Sequence, residues 1–239
     1  MRPLLAATRP SLWLLSLTVA LSGCAQSTVL LRDQNWRRTP GAVRVVVMPP
    51  DVQVSELTAG GLLEPKADWT ESARRHVAAA LEQQLHAKGT TVLPYEAPAS
   101  GGADEAADIQ LIKLHDAVGG AIIVHKYVPA LALPTKADRF DWTLGTGVRQ
   151  LQERTGADYA VFVFFRDSYA SSGRVALMVG AAILGVGVPG GRQVGFASLV
   201  DLRSGDILWF NRLINPAGDL RTAEPAGKAV QNLLVELPL

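Results

Sequence analysis

The chain has 239 residues, with 23 Lys and Arg against 22 Asp and Glu, four His and one Cys. A charge this close to balance, with no block of one sign, excludes the electrostatic footprint of a nucleic-acid binder and an acidic interaction tail. One cysteine excludes an internal disulfide framework and a cysteine-based zinc site.

Residues 1–10 carry Arg2 and Arg9 and no acid, residues 11–20 are uncharged and rich in Leu, and the run closes on Leu21-Ser22-Gly23-Cys24. This order is that of an export signal, and the apolar stretch is shorter than the roughly 20 residues of a membrane span. The four closing residues resemble the lipobox of bacterial lipoproteins. That resemblance implies a diacylglyceryl group on the Cys24 sulfur, cleavage before it, and an acyl chain such as palmitate on the new N-terminus. Several chains anchor stably, since each buried methylene contributes about 0.8 kcal/mol and one chain alone is marginal. An ordinary secretory signal that happens to contain a cysteine is the alternative. By resemblance to the sorting rule of enteric bacteria, Ala25 after the cysteine favours the outer membrane over the inner one. Removing residues 1–23 takes away two basic residues and leaves 216 residues with 21 basic and 22 acidic side chains, a length that fits one domain. With Cys24 acylated, no thiol remains in the oxidising periplasm, and cysteine nucleophiles are excluded as well.

Residues 24–40 read as the acylated N-terminus and a polar tether containing Arg32, Asp33, Arg37 and Arg38. Extended, its stretch 25–39 reaches about 50 Å. Residues 41–239 read as one domain. The β-branched run 43–48, stopped by Pro49-Pro50, predicts a buried strand, and 52–57 a weaker second one. Asp68-Trp69-Thr70-Glu71 has the form of a capping box opening a helix whose stripe is Trp69, Ala73, Val77, Leu81 and Leu85, ended by Gly89. Residues 90–95 predict a strand. Over 104–126 the positions Leu111, Leu114, Val118 and Ile122 favour a helix, although Gly119-Gly120 costs it about 2 kcal/mol relative to two alanines. A helix ending at Val118 with a strand over 121–128 is the alternative. Residues 141–154 predict a helix with Leu144, Val148 and Leu151 on one face and Gly156 as its stop.

Residues 159–165 are apolar on both faces and belong in the centre of a covered sheet. Residues 193–202 and 207–213, joined by Arg203-Ser204-Gly205-Asp206, form a hairpin signal. A last helix begins near Thr222, tolerates Pro225 in its first turn, buries Ala229 and Leu233 with Val230 and Leu237, and stops at Pro238. The expected fold is a single α/β domain: a mixed sheet with helices on its faces and a C-terminal hairpin followed by a helix.

No chemistry-bearing constellation emerges. His76 and His86, like His115 and His125, are ten residues apart, so on one helix each pair diverges by roughly 280° and about 15 Å; they read as partly exposed helix histidines, and no metal is expected. Gly185-Val186-Gly187-Val188-Pro189-Gly190 matches the dinucleotide fingerprint in letters only. The mechanism needs a strand before the loop and a helix after it, and here an apolar run precedes and a strand follows, so no cofactor is expected. Ser171 and Ser172 have no histidine nearby in sequence. The acid pairs Asp104 with Glu105 and Asp201 with Asp206 fit helix starts and turns.

The unusual segment is 175–189, apolar and Gly-rich between Arg174 and Arg192. It is too short and glycine-rich to span a membrane. Three readings stay open: a connection buried in the same domain, a subunit contact, or a membrane-touching insertion. Leu177, Met178, Ile183, Leu184 and Val186 are the candidate partner or membrane contacts.

The lipobox, the 43–50 strand, the helix ending in Gly89-Thr90-Thr91-Val92, the Gly156-Ala157-Asp158-Tyr159 lead and the Leu199–Trp209 hairpin together resemble a known group of lipoproteins. These are the periplasm-facing lipoproteins that include the curli-secretion channel lipoprotein, the Pel-polysaccharide export lipoprotein and an outer-membrane activator of penicillin-binding proteins. The resemblance implies a mixed-sheet α/β fold and a non-catalytic role in export or envelope assembly, often as a homo-oligomeric ring. Segment 175–189 departs from the channel-forming members, because it lacks the in/out alternation of membrane-inserted strands. The sequence thus predicts an outer-membrane-anchored lipoprotein facing the periplasm, not an enzyme, acting as a structural or assembly component with envelope protein partners. The alternative is a regulatory binding lipoprotein acting on a cell-wall enzyme.

Overall fold

Residues 159–165 alternate between two separate cores, and the rest of the fold is arranged around them. The computed structural model describes residues 26–33, 36, 43–136, 138–216 and 218–239. In chain order the elements are β1 (Gln26–Leu31), β2 (Arg44–Val47), β3 (Asp51–Leu57), β4 (Leu63–Pro65), α1 (Ala67–Ala87), β5 (Thr91–Leu93), α2 (Ala103–Tyr127) and α3 (Val148–Thr155). They continue with β6 (Tyr159–Ala170), α4 (Ser172–Ile183), β7 (Gln193–Asp201), β8 (Ile207–Asn215) and α5 (Ala223–Leu233). The strands form one mixed sheet in the order β1-β8-β7-β6-β2-β5, with β3 also on β6 and β4 on β3. This is the expected single α/β domain, with the β7–β8 hairpin followed by α5.

Odd positions of β6 (Tyr159, Val161, Val163, Phe165) meet α1 and α5 through Val77, Leu81, Val230 and Leu233. Even positions (Ala160, Phe162) meet α2 and α3 through Leu111, Ile122, Val148 and Leu151. Two layers of helix on one sheet explain why a strand can be apolar on both faces. Full burial of side chains such as Phe162, Phe165 and Phe210 stabilises by about 1.5–3 kcal/mol each.

Pro49-Pro50 divides what would be one long strand beside β6. Val47 pairs with Val161 and Asp51 with Phe164, so the break inserts one extra residue where proline has no N–H to donate. Below the break β5 covers β2; above it β4 covers β3.

Four local expectations give way to tertiary bonds. The capping box at Asp68 does not form: Lys66 is the N-cap and α1 starts at Ala67. Lys66 N donates to Val54 O at 2.9 Å, and Thr70 Oγ1 accepts from Val54 N at 3.0 Å, so the first turn completes the pairing of β3 instead of capping itself. Residues 141–147 are not helical. Leu144 N donates to Gly205 O and Ile207 N to Trp142 O, a bridge joins Thr143 to Asp206, and the chain turns at Gly145 with φ +72°. The polar tether expected over 24–40 contains β1, which pairs antiparallel with β8 from Gln26–Ile214 to Leu31–Trp209. Finally, α5 ends at Leu233, before Pro238. Across Gly119-Gly120 the helix reading holds, since α2 runs unbroken to Tyr127.

Asn211, fully buried in β8, fastens both ends of the chain. Its amide donates to Asn232 O at 3.2 Å and Leu233 O at 2.7 Å, at the last turn of α5, and its Oδ1 accepts from Thr28 N of β1 at 3.0 Å. Asn211→Leu strands these groups, each worth about 1–3 kcal/mol when left unpaired. Urea unfolding of this variant is expected to show a stability lower by about 2 kcal/mol or more, read as a lower midpoint at unchanged m-value.

Candidate functional site

β6 is longer than its neighbour. It pairs with β7 from Tyr159 to Arg166, and its last four residues continue with β3 alone on that register, Ala170 opposite Leu57. Where the two strands end, the chain enters α4. Ser171 is its N-cap, with Oγ accepting from Arg174 N at 3.1 Å. The helix closes at Leu184, Gly185 follows with φ +74°, and residues 186–192 return to β7.

This α4 arm is bound into one piece by Arg174. Its guanidinium donates to Pro189 O from Nε at 3.1 Å and Nη2 at 2.8 Å, and to Ala59 O from Nη1 at 3.3 Å. The helix, its return loop and the β3–β4 turn therefore share a single cation. At the base, Ser168 Oγ donates to Arg192 O and accepts from Arg192 N. Gly191 sits so close to β6 that a Cβ would lie 1.7 Å from Ser168 O.

None of the α4 residues is buried. Ile183 and Leu184 are each 80 % exposed, Val186 56 % and Leu177 44 %. Met178 is half-buried, its methyl packed under Gly190. Of the three readings of segment 175–189, the covered connection is thereby overturned. Both faces of the sheet already carry their helices, and α4 follows directly on the last residues of β6. Sequence inspection missed Leu62, 70 % exposed, and Leu63 in the adjoining turn and β4; the pair directly after Gly60-Gly61 was the available signal. Cys24 lies outside the described residues.

A second feature is a groove of about 820 Å³ between α1 and α2 at the end of β2 and β5, with Val92, Pro94, Ile109 and Ile112 on its walls and Arg74 and Lys113 among its charged residues. Asp51 contributes a carboxylate to it. Burial pushes this acid up, but Lys113 at 2.6 Å and Arg166 at 2.9 Å outweigh burial and hold it below the usual carboxylate range. A carboxylate claimed by two cations is a poor proton acceptor at neutral pH. Asp108 is similarly engaged by Tyr95 and Arg154.

The histidines divide differently from expectation. His76 and His125 are half-buried and His86 exposed, but His115 is buried, with its Nε2 2.9 Å from Ser198 Oγ. Among the described residues no three His, Cys, Asp or Glu side chains are grouped to hold a metal ion. Gly185, Gly187 and Gly190 lie after a helix and before a strand, the reverse of the order that presents helix amides to a pyrophosphate. Glu105 accepts from Gly101 N at 2.6 Å at the start of α2, Asp201 accepts from Arg203 N in the hairpin turn, and Asp206 pairs with Arg32 at 3.2 Å.

Fold and surface together define a three-layer α/β domain with an uncovered apolar arm. No helix among the described residues is long and apolar enough to cross a membrane. No protein-family model and no curated protein matches the chain. Among solved structures, the chain is similar to the PelC dodecamer from Paraburkholderia phytofirmans in two crystal forms, one of them of a single-substitution variant. TM-scores are 0.38 and 0.37, with 13 % identity in each, covering 88 % of this chain and 95 % and 96 % of those chains.

Proposed function

We propose that the protein is an acylated lipoprotein held to the periplasmic face of the outer membrane through Cys24, its domain serving as a non-catalytic structural or assembly component of an envelope or export system. One observation carries the reading: the cysteine that closes the lipobox stands two residues before Gln26, the first residue of a strand built into the sheet. A lipid there fastens a folded domain directly. The non-catalytic part is supported by Asp51 and Asp108, whose carboxylates are taken up by ion pairs, and by His115, sealed between two phenyl rings.

Cys24→Ala is expected to disappear from the outer-membrane fraction. The N-terminal peptide of the unaltered protein is expected to carry a diacylglyceryl group and an N-acyl chain by mass spectrometry. An N-terminal peptide without lipid, together with retention of Cys24→Ala in the outer membrane, would overturn the anchor. The groove between α1 and α2 favours a second reading, a regulatory module that grips a cell-wall enzyme. Crosslinking in intact cells separates the two: high-order self-crosslinks support the scaffold, one dominant hetero-partner the regulator.

A further inference from the structure

The strand register puts the exposed apolar arm and the first residue of β1 toward one end of the domain. Gln26 is opposite Ile214, Ile214 opposite Val194, Val194 opposite Arg166, and Arg166 opposite Gln53, so one row crosses five strands. From this row β6 and β3 continue together for four residues, to Ala170 and Leu57, a rise of about 13 Å. They end in α4 and in the turn that carries Leu62. β1 runs antiparallel to β8, so the chain upstream of Gln26 leaves β1 at this same end. Cys24 is two residues upstream, and two residues reach at most about 7 Å. The opposite end carries the polar turn Arg203-Ser204-Gly205-Asp206.

We propose that α4, together with Leu62 and Leu63, is a membrane-seated arm that lies in the interface of the leaflet holding the acyl chains. The inference rests on the Cys24 anchor proposed above and adds how the domain stands on the membrane. Three observations select lipid over a protein partner. At 100° per residue, the exposed positions Val175, Ala176, Leu177, Val179, Ala182 and Ile183 are spread over an arc of about 220°, roughly three fifths of the helix. Only the Arg174, Met178, Ala181 stripe turns inward. A protein surface covers one side of such a helix and leaves the rest in water, whereas hydrocarbon surrounds it. Residues 168–192 contain no Asp or Glu, and so no carboxylate has to be taken out of water when the arm enters the interface. The 12-residue helix is about 18 Å long, too short to cross, which suits a seat roughly 5–10 Å into one leaflet. Arg174, at the base and satisfied by three carbonyl contacts, can keep its charged head at the headgroup level.

The chain's single cysteine makes a direct test possible. In the full-length acylated protein an introduced cysteine is the only free thiol, and Ile183→Cys, Leu62→Cys and Ser204→Cys can each be spin-labelled and reconstituted in phosphatidylethanolamine and phosphatidylglycerol vesicles. The labels at 183 and 62 are expected to show a severalfold higher ratio of oxygen to water-soluble nickel-chelate collisions than the label at 204. Equal, water-like ratios at 183 and 204 in acylated, vesicle-bound protein would overturn the seated arm and leave the anchor standing. Shielding of 183 from both reagents, with dipolar broadening between copies, would overturn it in favour of a subunit contact. An N-terminal peptide without lipid would remove the anchor; a hydrocarbon signal at 183 on addition of vesicles would then still support the arm, and a water-like one would end it.

Discussion

Acidification from pH 6.5 towards 3 is expected to destabilise the domain by up to about 1.4 kcal/mol per pH unit through one side chain, His115. The imidazole is 1 % exposed and packs between the rings of Phe162 and Phe196, with centroids 5.2 and 5.1 Å away. Burial pushes its pKa down from 6.5 to about 3, against a smaller opposing effect of the Asp51 charge. In that interval the unfolded chain binds the proton and the folded one does not, so stability is complete above pH 6.5 and is lost as pH falls. Summed over the interval the loss is about 5 kcal/mol, a large share of the 5–15 kcal/mol typical of a domain. Urea midpoints measured for the protein and for His115→Gln between pH 7 and 4.5 isolate this contribution from the carboxylates. The advantage of the unaltered protein over the variant should shrink steadily with falling pH. A difference that stays constant would show that the buried ring is protonated as readily as in the unfolded chain.

Two adjacent glycines are expected to respond to alanine in opposite directions. At Gly119 a Cβ would lie 2.1 Å from Cε2 of Phe196, a ring wedged among His115, Phe164 and Phe210 with no room to retreat. Overpacking of this kind costs about 1–3 kcal/mol and outweighs the helix propensity gained. At Gly120 a Cβ would meet nothing within 4 Å, and the backbone is already helical. There alanine should stabilise by about 0.5–1 kcal/mol. Thermal melts of both variants check the pair, and a stabilised Gly119→Ala would mean that α2 stands farther from β7 than the contact with Phe196 requires.

The elements legible in the sequence are those whose pattern is set by burial on a regular lattice. β6 declared itself because both of its faces are covered. The Ala73, Val77, Leu81 and Leu85 stripe of α1 and the Gly205 turn, where φ is +82°, were equally plain. The elements that escaped depend on distant partners. The capping box at Asp68 yields to a start at Ala67 tied to Val54 through Lys66 and Thr70, residues 141–147 are drawn out by the hairpin turn, and β1 is a half-buried edge whose polar residues resemble linker. His115 was legible in principle, since it shares the stripe of Leu111 and Ile122 on α2. The exposure of α4 was not, because an apolar run reads the same whether a neighbour covers it or not. Only the position of the run beyond the strand ends decides that.

The antiparallel pairing of β1 with β8 has a mechanical consequence. Hydrogen bonds in such a ladder lie perpendicular to the strands, and the six residues of β1 are all in register with β8. A pull applied upstream of Gln26 and along the strand therefore loads the ladder in shear, with all its bonds sharing the force, rather than peeling them one by one. Asn211 sits within that ladder and grips the last turn of α5, so the load is passed into the body of the domain. A load entering through the residues before β1 would thus meet the domain at its strongest geometry.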